Sequence, residues 1–259
     1  MNIEVDKKTI LDRMFSLIVS NDSLSAYAFK GGYVLSNFIC KNSGLRSTSD
    51  LDVSVESKFD FQLIIDSVSP YLNSLKQSGV IYDYKIKEPL VTKLRNVSGG
   101  IKVYRKKDSN SKKYVFVGID VSIHSLSYGL VSIQGVNVYS IERSLADKLS
   151  AMYSSESTVV RRVRDLYDLY IFNLLNYSLD ERLLSKCLRE RNVDLSERST
   201  VELMLSSKRG CMQLKTAIES FLKNNLRVEY SLVISKGIDF DKIIQSYYSL
   251  LDLLRGVKR

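Results

Sequence analysis

The chain has no tryptophan, two prolines, three cysteines and one histidine in 259 residues. Each scarcity excludes something. A single histidine, His124, rules out a multi-histidine metal site, and no nucleophile motif points to it as the base of a Ser or Cys hydrolase. It falls on the same face of a strand-like run as Asp120 and Ser122, which fits a structural or wet-surface histidine. Cys40, Cys187 and Cys211 are odd in number and lack Cys-x-x-Cys spacing. That argues against a disulfide framework and structural zinc, and favours a reducing, cytoplasmic setting. No apolar run reaches 18 residues, so no membrane span or membrane partner is expected. Met1–Lys8 is charged and lacks the apolar stretch of a signal peptide. Internal repeats and low-complexity linkers are absent.

Against these absences stand an apolar content of 44% and a net charge of +9. The apolar content suffices for one large domain or two small ones. The charge is unevenly placed. Residues 85–113 contain ten Lys and Arg (Lys85, Lys87, Lys93, Arg95, Lys102, Arg105, Lys106, Lys107, Lys112, Lys113) against Glu88 and Asp108, a net +8. Tyr84, Tyr104 and Tyr114 are interleaved or adjacent. Such a stretch fits the phosphates and bases of a nucleic acid. It also fits a solvated hairpin turning at Asp108-Ser109-Asn110-Ser111.

The most informative pattern is Phe29-Lys30-Gly31-Gly32-Tyr33 followed by Arg46-Ser47-Thr48-Ser49-Asp50-Leu51-Asp52-Val53-Ser54-Val55. The second stretch reads as a strand. Leu51, Val53 and Val55 would face the core, and Asp50, Asp52 and Ser54 the other side. Two carboxylates on one side of a strand end suit a hard divalent cation, because their mutual repulsion is relieved by it. Gly31-Gly32 would let backbone N–H groups approach a phosphate. A third acid, Asp120, lies in the β-rich run 114–123, flanked by Ile119 and Val121. A carboxylate inside an apolar strand needs a partner or a metal, so Asp50, Asp52 and Asp120 are the expected ligands of Mg²⁺ or Mn²⁺.

Ser140 should cap a helix whose stripe is Ile141, Leu145, Leu149 and Met152. Lys148 borders that stripe, either snorkelling to water or meeting an anion, in the functional case a triphosphate. A second helix over about 160–175 is apolar on most sides, with Asp165 and Asp168 as its exceptional acids. Pairs Arg161–Asp165 and Arg164–Asp168 at i,i+4 would account for them structurally.

Elsewhere the periodicity predicts helices over 7–19, about 32–40 and 60–78, the last interrupted or restarted at Pro70. It predicts a short strand over 26–29 and strands over about 80–87, 101–107, 113–124 and 130–138, with Ser98-Gly99-Gly100 marking a turn. After Ser140 the pattern is helical to the end. The expected class is α+β, a mixed β-sheet with helices (1–139) followed by a C-terminal helical bundle (140–259).

Four blocks in order resemble the AbiEii/AbiGii group of bacterial nucleotidyltransferase toxins. They are Lys30-Gly31-Gly32-Tyr33-Val34-Leu35, Arg46 to Asp52, Leu145-Ala146-Asp147-Lys148-Leu149-Ser150-Ala151, and Arg162-Val163-Arg164-Asp165-Leu166-Tyr167-Asp168-Leu169. Tyr33 departs from the pattern, in which a small Thr or Ser is common. The resemblance implies a nucleotidyltransferase-like catalytic part, with 140–259 completing the active site. It implies transfer of NMP from an NTP to an RNA acceptor, tRNA foremost, and a cognate antitoxin. Asp50, Asp52, Lys148, Asp165 and Asp168 would then be catalytic. Lys30, Gly31, Gly32, Arg46, Ser47 and Lys148 would hold the nucleotide. Two alternatives stay open: a small-molecule nucleotidyltransferase of the antibiotic-modifying kind, and a non-catalytic RNA- or antitoxin-binding relative.

Overall fold

A computed structural model of the chain describes residues 6–39, 50–56, 60–91, 97–104, 114–154, 159–225 and 237–256. These form two compact units. The first comprises Met1–Val34, Ser47–Leu126 and Leu130–Val138; the second comprises Leu35–Arg46, Ser127–Gly129 and Tyr139–Arg259.

The first unit is built on seven strands: β1 (Ala28–Lys30), β2 (Asp50–Val55), β3 (Asp83–Val91), β4 (Val97–Tyr104), β5 (Tyr114–Ile123), β6 (Leu130–Ile133) and β7 (Val136–Tyr139). Their spatial order is β3-β4-β5-β2-β1-β7-β6. The sheet is mixed, with β2 parallel to β5 and β1 parallel to β7. One face buries Leu51, Val53, Ile101, Val103, Val117, Ile119 and Val121. Helices α1 (Lys7–Val19) and α3 (Phe61–Gln77) pack with these strands. α1 starts where Asp6 accepts from the Thr9 N–H at 2.7 Å, and turns Ile10, Leu11, Met14 and Ile18 inward at helical spacing.

Several local expectations change here. α3 runs straight through Pro70. The proline sits on the exposed side, where water can meet the carbonyl it leaves without a partner. Burial of Phe61, Ile64, Ile65, Val68 and Leu72 holds the rest of the helix. Ser98-Gly99-Gly100 is not a turn but part of β4. A Cβ on Gly99 would stand 2.6 Å from the Phe61 ring, and one on Gly100 2.6 Å from the Phe116 ring. The glycines therefore mark close packing on both faces of the sheet. The run 130–138 divides into β6 and β7 at Gln134-Gly135, whose φ values of 54° and 79° fit a two-residue hairpin turn. Ser54, expected on the wet side, is fully buried.

The second unit is helical: α4 (Ile141–Tyr153), α5 (Val159–Leu174), α6 (Glu181–Glu190), α7 (Thr200–Leu205), α8 (Lys208–Asn225) and α9 (Phe240–Gly256). Ser140 caps α4 through the Arg143 N–H, and Ser199 with Glu202 forms a capping box on α7. Leu145, Leu149, Leu166, Ile171, Leu184, Leu214, Ile218 and Leu251 share its core. Arg143 is fully buried there, a feature the periodicity did not reveal. Its guanidinium donates to Glu190 and to the Tyr128 carbonyl, and lies over the Tyr139 ring. Directly after β1 in the chain, Gly31–Val34 forms α2, a single helical turn that passes into a π-helical turn at Leu35–Ile39. The observed architecture is the expected one, a mixed sheet with helices and then C-terminal helices. Among the described residues no helix is long and apolar enough to cross a membrane.

Candidate active site

Register decides what the open face of the sheet presents. Lys30 on β1 pairs with Asp52 on β2, and Asp52 pairs with Asp120 on β5. One row across three adjacent strands thus carries a lysine and two carboxylates on one face. Asp50 lies in the next row, opposite Gly118. It shares the face of Asp52 because side chains alternate along a strand. All three aspartates predicted as metal ligands therefore stand on one face of the first unit.

The neighbours of these groups are specific. Asp50 Oδ1 accepts from the Gly118 N–H at 3.2 Å and lies 3.9 Å from Lys7 Nζ. Partial burial pushes the Lys7 amine below its ordinary pKa, and the Asp50 charge opposes that. Lys30 Nζ donates to Ser122 Oγ at 2.9 Å, two residues beyond Asp120 on the same face. No sequence signal marks Lys7, since where a helix start meets a strand end is settled by packing. Asp120 corrects an expectation: it is exposed, not enclosed by its apolar neighbours. Ile119 and Val121 point to the core face, and Asp120 points away from it.

The glycines fit closely against these carboxylates. Gly31 has φ +70°, and a Cβ on it would stand 1.9 Å from Asp52 Oδ2. A Cβ on Gly118 would stand 2.7 Å from Asp50 Oδ1. Both glycines leave room for the acids rather than only bending the chain. Hard carboxylate oxygens on adjacent strands are the donor chemistry that Mg²⁺ or Mn²⁺ takes. Among the described residues, no three His, Cys, Asp or Glu side chains converge closely enough to enclose an ion. The acids stand side by side, with Asp50 already bonded to backbone.

Tyr33, the departure from the small-residue pattern, has a structural role. Its buried hydroxyl donates to Asp12 Oδ1 at 2.8 Å, and burial raises its pKa well above the ordinary value. Arg46 and Ser47, expected to hold the nucleotide, lie outside the described residues, as do Arg105, Lys106 and Lys107.

The second unit gathers its own charged cluster. Lys148 Nζ lies 2.6 Å from Asp168 Oδ2 and 3.3 Å from Asp165 Oδ1. Arg162 Nη1 lies 2.8 Å from Asp165 Oδ2. The side chains of Lys148 and Asp168 are 10% and 2% exposed, so Lys148 does not snorkel to water. The two acids also meet partners that the i,i+4 spacing did not name, and the Arg161 side chain, expected beside Asp165, lies outside the described residues. Asp165 pairs with Arg162 at i,i+3, and both acids meet Lys148 from α4, while Arg164 is exposed. Helical spacing offers i+3 as well as i+4 partners, whereas Lys148 reaches both acids only because α4 packs on α5.

A family model described as nucleotidyl transferase AbiEii toxin, Type IV toxin–antitoxin system, matches residues 9–221. The chain belongs to the AbiEii family. It is accordingly a nucleotidyltransferase, and membership implies an NTP substrate and an antitoxin partner. Two solved structures share the AbiEii chain's fold. JHP933 from Helicobacter pylori is 16% identical at a TM-score of 0.53, covering 95% of this chain and 92% of that one. A putative nucleotidyltransferase from H. pylori is 16% identical at 0.51, covering 96% of each. No curated protein matches the chain.

The fit of Gly31 against Asp52 yields a test within this AbiEii chain. Gly31→Ala forces an L residue into left-handed φ, costing about 1–2 kcal/mol, and turns Asp52 aside. Gly79, also at positive φ, has nothing within 4 Å of its would-be Cβ. Thermal melts should show a smaller loss from Gly79→Ala, which meets the φ strain without the clash. Nucleotidyl transfer should fall at least about ten-fold for Gly31→Ala alone, if Asp52 holds a reacting group.

Proposed function

We propose that this AbiEii toxin transfers NMP from an NTP to an RNA acceptor, tRNA foremost, with Mg²⁺ or Mn²⁺. The observation that carries the reading is the row Lys30–Asp52–Asp120, with Asp50 on the same face. Asp50, Asp52 and Asp120, which stand side by side on one face without enclosing an ion, would hold the cation by drawing their carboxylates toward it. Such a cation, when bound, polarises the α-phosphate and lowers the pKa of an acceptor hydroxyl. Lys30 and the Gly31-Gly32 backbone take the triphosphate, Lys30 exchanging its bond to Ser122 for a phosphate oxygen. Arg46 and Ser47 are assigned to the same nucleotide. Lys148, Asp165 and Asp168 would serve the reaction through the charged cluster they form.

The RNA part rests on charge. Residues 85–113 carry nearly the whole positive excess of the chain. The deciding experiment incubates the protein with total cellular RNA, Mg²⁺ and each labelled NTP in turn, with a gel readout. A labelled RNA band supports the reading. Label found only on small molecules would favour an antibiotic-type transferase, and no label on any RNA would overturn the RNA-acceptor reading.

Changing Arg105, Lys106 and Lys107 together to Ala should weaken RNA binding and flatten its salt dependence. The slope should drop by up to about one unit for each phosphate left unneutralised. NTP affinity should hardly change. A triple variant with weakened NTP affinity and an unchanged salt slope would place these residues at the nucleotide instead.

A further inference from the structure

The face that carries the three aspartates continues across β5, β4 and β3, and what it carries there is aromatic and cationic. Beyond the Asp52–Asp120 row come Asp50, Gly118, Gly100 and Lys87 in register. The next row holds Phe116, Lys102 and Lys85, and the one after it Tyr114, Tyr104 and Asp83. The rings and amines form a lattice. The Tyr104 and Tyr114 centroids are 5.8 Å apart. Lys102 Nζ lies 4.8 Å from the Tyr114 ring centroid, Lys87 Nζ 5.8 Å from that of Phe116, and Lys85 Nζ 6.0 Å from that of Tyr104. Phe116 lies across Gly100, where any Cβ would collide with it. A glycine there lets the ring lie down on the sheet. Tyr114 is 43% exposed, and Lys85 and Lys87 are exposed.

An aromatic surface of this kind is unusual on a wet sheet face, where the hydrophobic effect gives it no reward. Mutual cation–π interactions offset only part of that exposure. Bases that stack on rings, with phosphates that meet amines, use both halves of the lattice. A duplex hides its base faces, so it could use only the amines. Position adds to this. At about 3.3 Å per residue along β5, Phe116 stands about 13 Å and Tyr114 about 20 Å from Asp120. Bases stacked there would belong to nucleotides just behind the reacting end.

We infer that the β3–β4–β5 face bearing Phe116, Tyr114, Tyr104, Lys85, Lys87 and Lys102 is the track for the unpaired end of the RNA acceptor, led by base stacking to the aspartates. The inference rests on the RNA reading proposed above and sharpens it: the acceptor enters single-stranded, on a defined face, held by rings as well as by charge.

The test measures binding and transfer separately. Fluorescence anisotropy compares a labelled single-stranded RNA of about twelve nucleotides with a blunt duplex of the same sequence, for wild type, Tyr104→Ser/Tyr114→Ser and Tyr104→Phe/Tyr114→Phe. Removing the rings should weaken single-strand binding about ten-fold or more, on the scale of one or two stacked bases. The Phe pair should retain wild-type affinity, and the duplex should bind weakly to all three. Circular dichroism melts confirm that the Ser variant is folded, and Lys85→Gln/Lys102→Gln supplies a variant that leaves the rings intact but should flatten the salt slope. Duplex bound as tightly as single strand, or single-strand affinity unchanged in the folded Ser variant, overturns the inference. Transfer assays on the same proteins isolate the underlying reading. Wild type that labels no RNA sinks the RNA-transferase proposal, while the anisotropy result still decides whether this face is a single-strand track.

Discussion

Asp52→Asn should abolish nucleotidyl transfer, and with it any toxicity on expression, while leaving the protein folded. Asp52 stands between Lys30 and Asp120 in one row of the sheet, with Gly31 held free of a side chain against its carboxylate. Asparagine keeps the shape and removes the charge that a hard cation requires. Without metal, the variant should melt near or above wild type, because repulsion among Asp50, Asp52 and Asp120 is eased. Adding Mg²⁺ should raise the wild-type melting point and leave that of the variant nearly unmoved, since binding to the native state alone stabilises it. The comparison needs only melts with and without cation beside a transfer assay. An Asp52→Asn protein with full activity would remove Asp52 from the metal site.

Lys148→Met should cost far more stability than changing a surface lysine does. The amine stands against Asp165 and Asp168, and the Asp168 side chain is 2% exposed. Removing the cation leaves buried carboxylates without it, a change worth about 3–5 kcal/mol. In a chain of this length that is roughly 10 °C in Tm. Lys148→Met combined with Asp168→Asn should recover most of that stability, because the buried charge goes with its partner. The double variant then separates two roles that the single one confounds. If the cluster serves catalysis, the folded double variant should still transfer about 10²-fold more slowly, the scale of one charged transition-state donor. Near-normal specific activity would make Lys148 a structural counter-ion of α5.

Much of this architecture is legible in the order of the residues. Alternation in Asp50–Val55 placed two acids on one side of a strand, and helical spacing placed Leu145, Leu149 and Met152 in a core. Both follow from the chain's own periods of 2 and 3.6 residues. Four short blocks in order carried the family. Local rules misled where a residue had two uses. Ser98-Gly99-Gly100 has turn composition, yet its glycines serve close packing against Phe61 and Phe116. Pro70 has a breaker's chemistry, yet it sits where an exposed carbonyl can turn to water.

Which residues meet is a matter of strand pairing and helix packing. Asp52 and Asp120 are 68 positions apart, and the parallel register of β2 with β5 makes them neighbours. Register is a property of two strands, so neither strand's sequence contains it. The same holds for Lys7 beside Asp50, for Lys148 between Asp165 and Asp168, and for Tyr33 bonded to Asp12. The basic stretch shows the difference most clearly. Composition found its charge, whereas the pairing of β3, β4 and β5 set Lys85, Lys87 and Lys102 among Tyr104, Tyr114 and Phe116, and left Tyr84 on the other side, bonded to Asn73. Side chains alternate within each strand, but which alternate set shares a face with the aspartates is fixed by hydrogen bonds between strands.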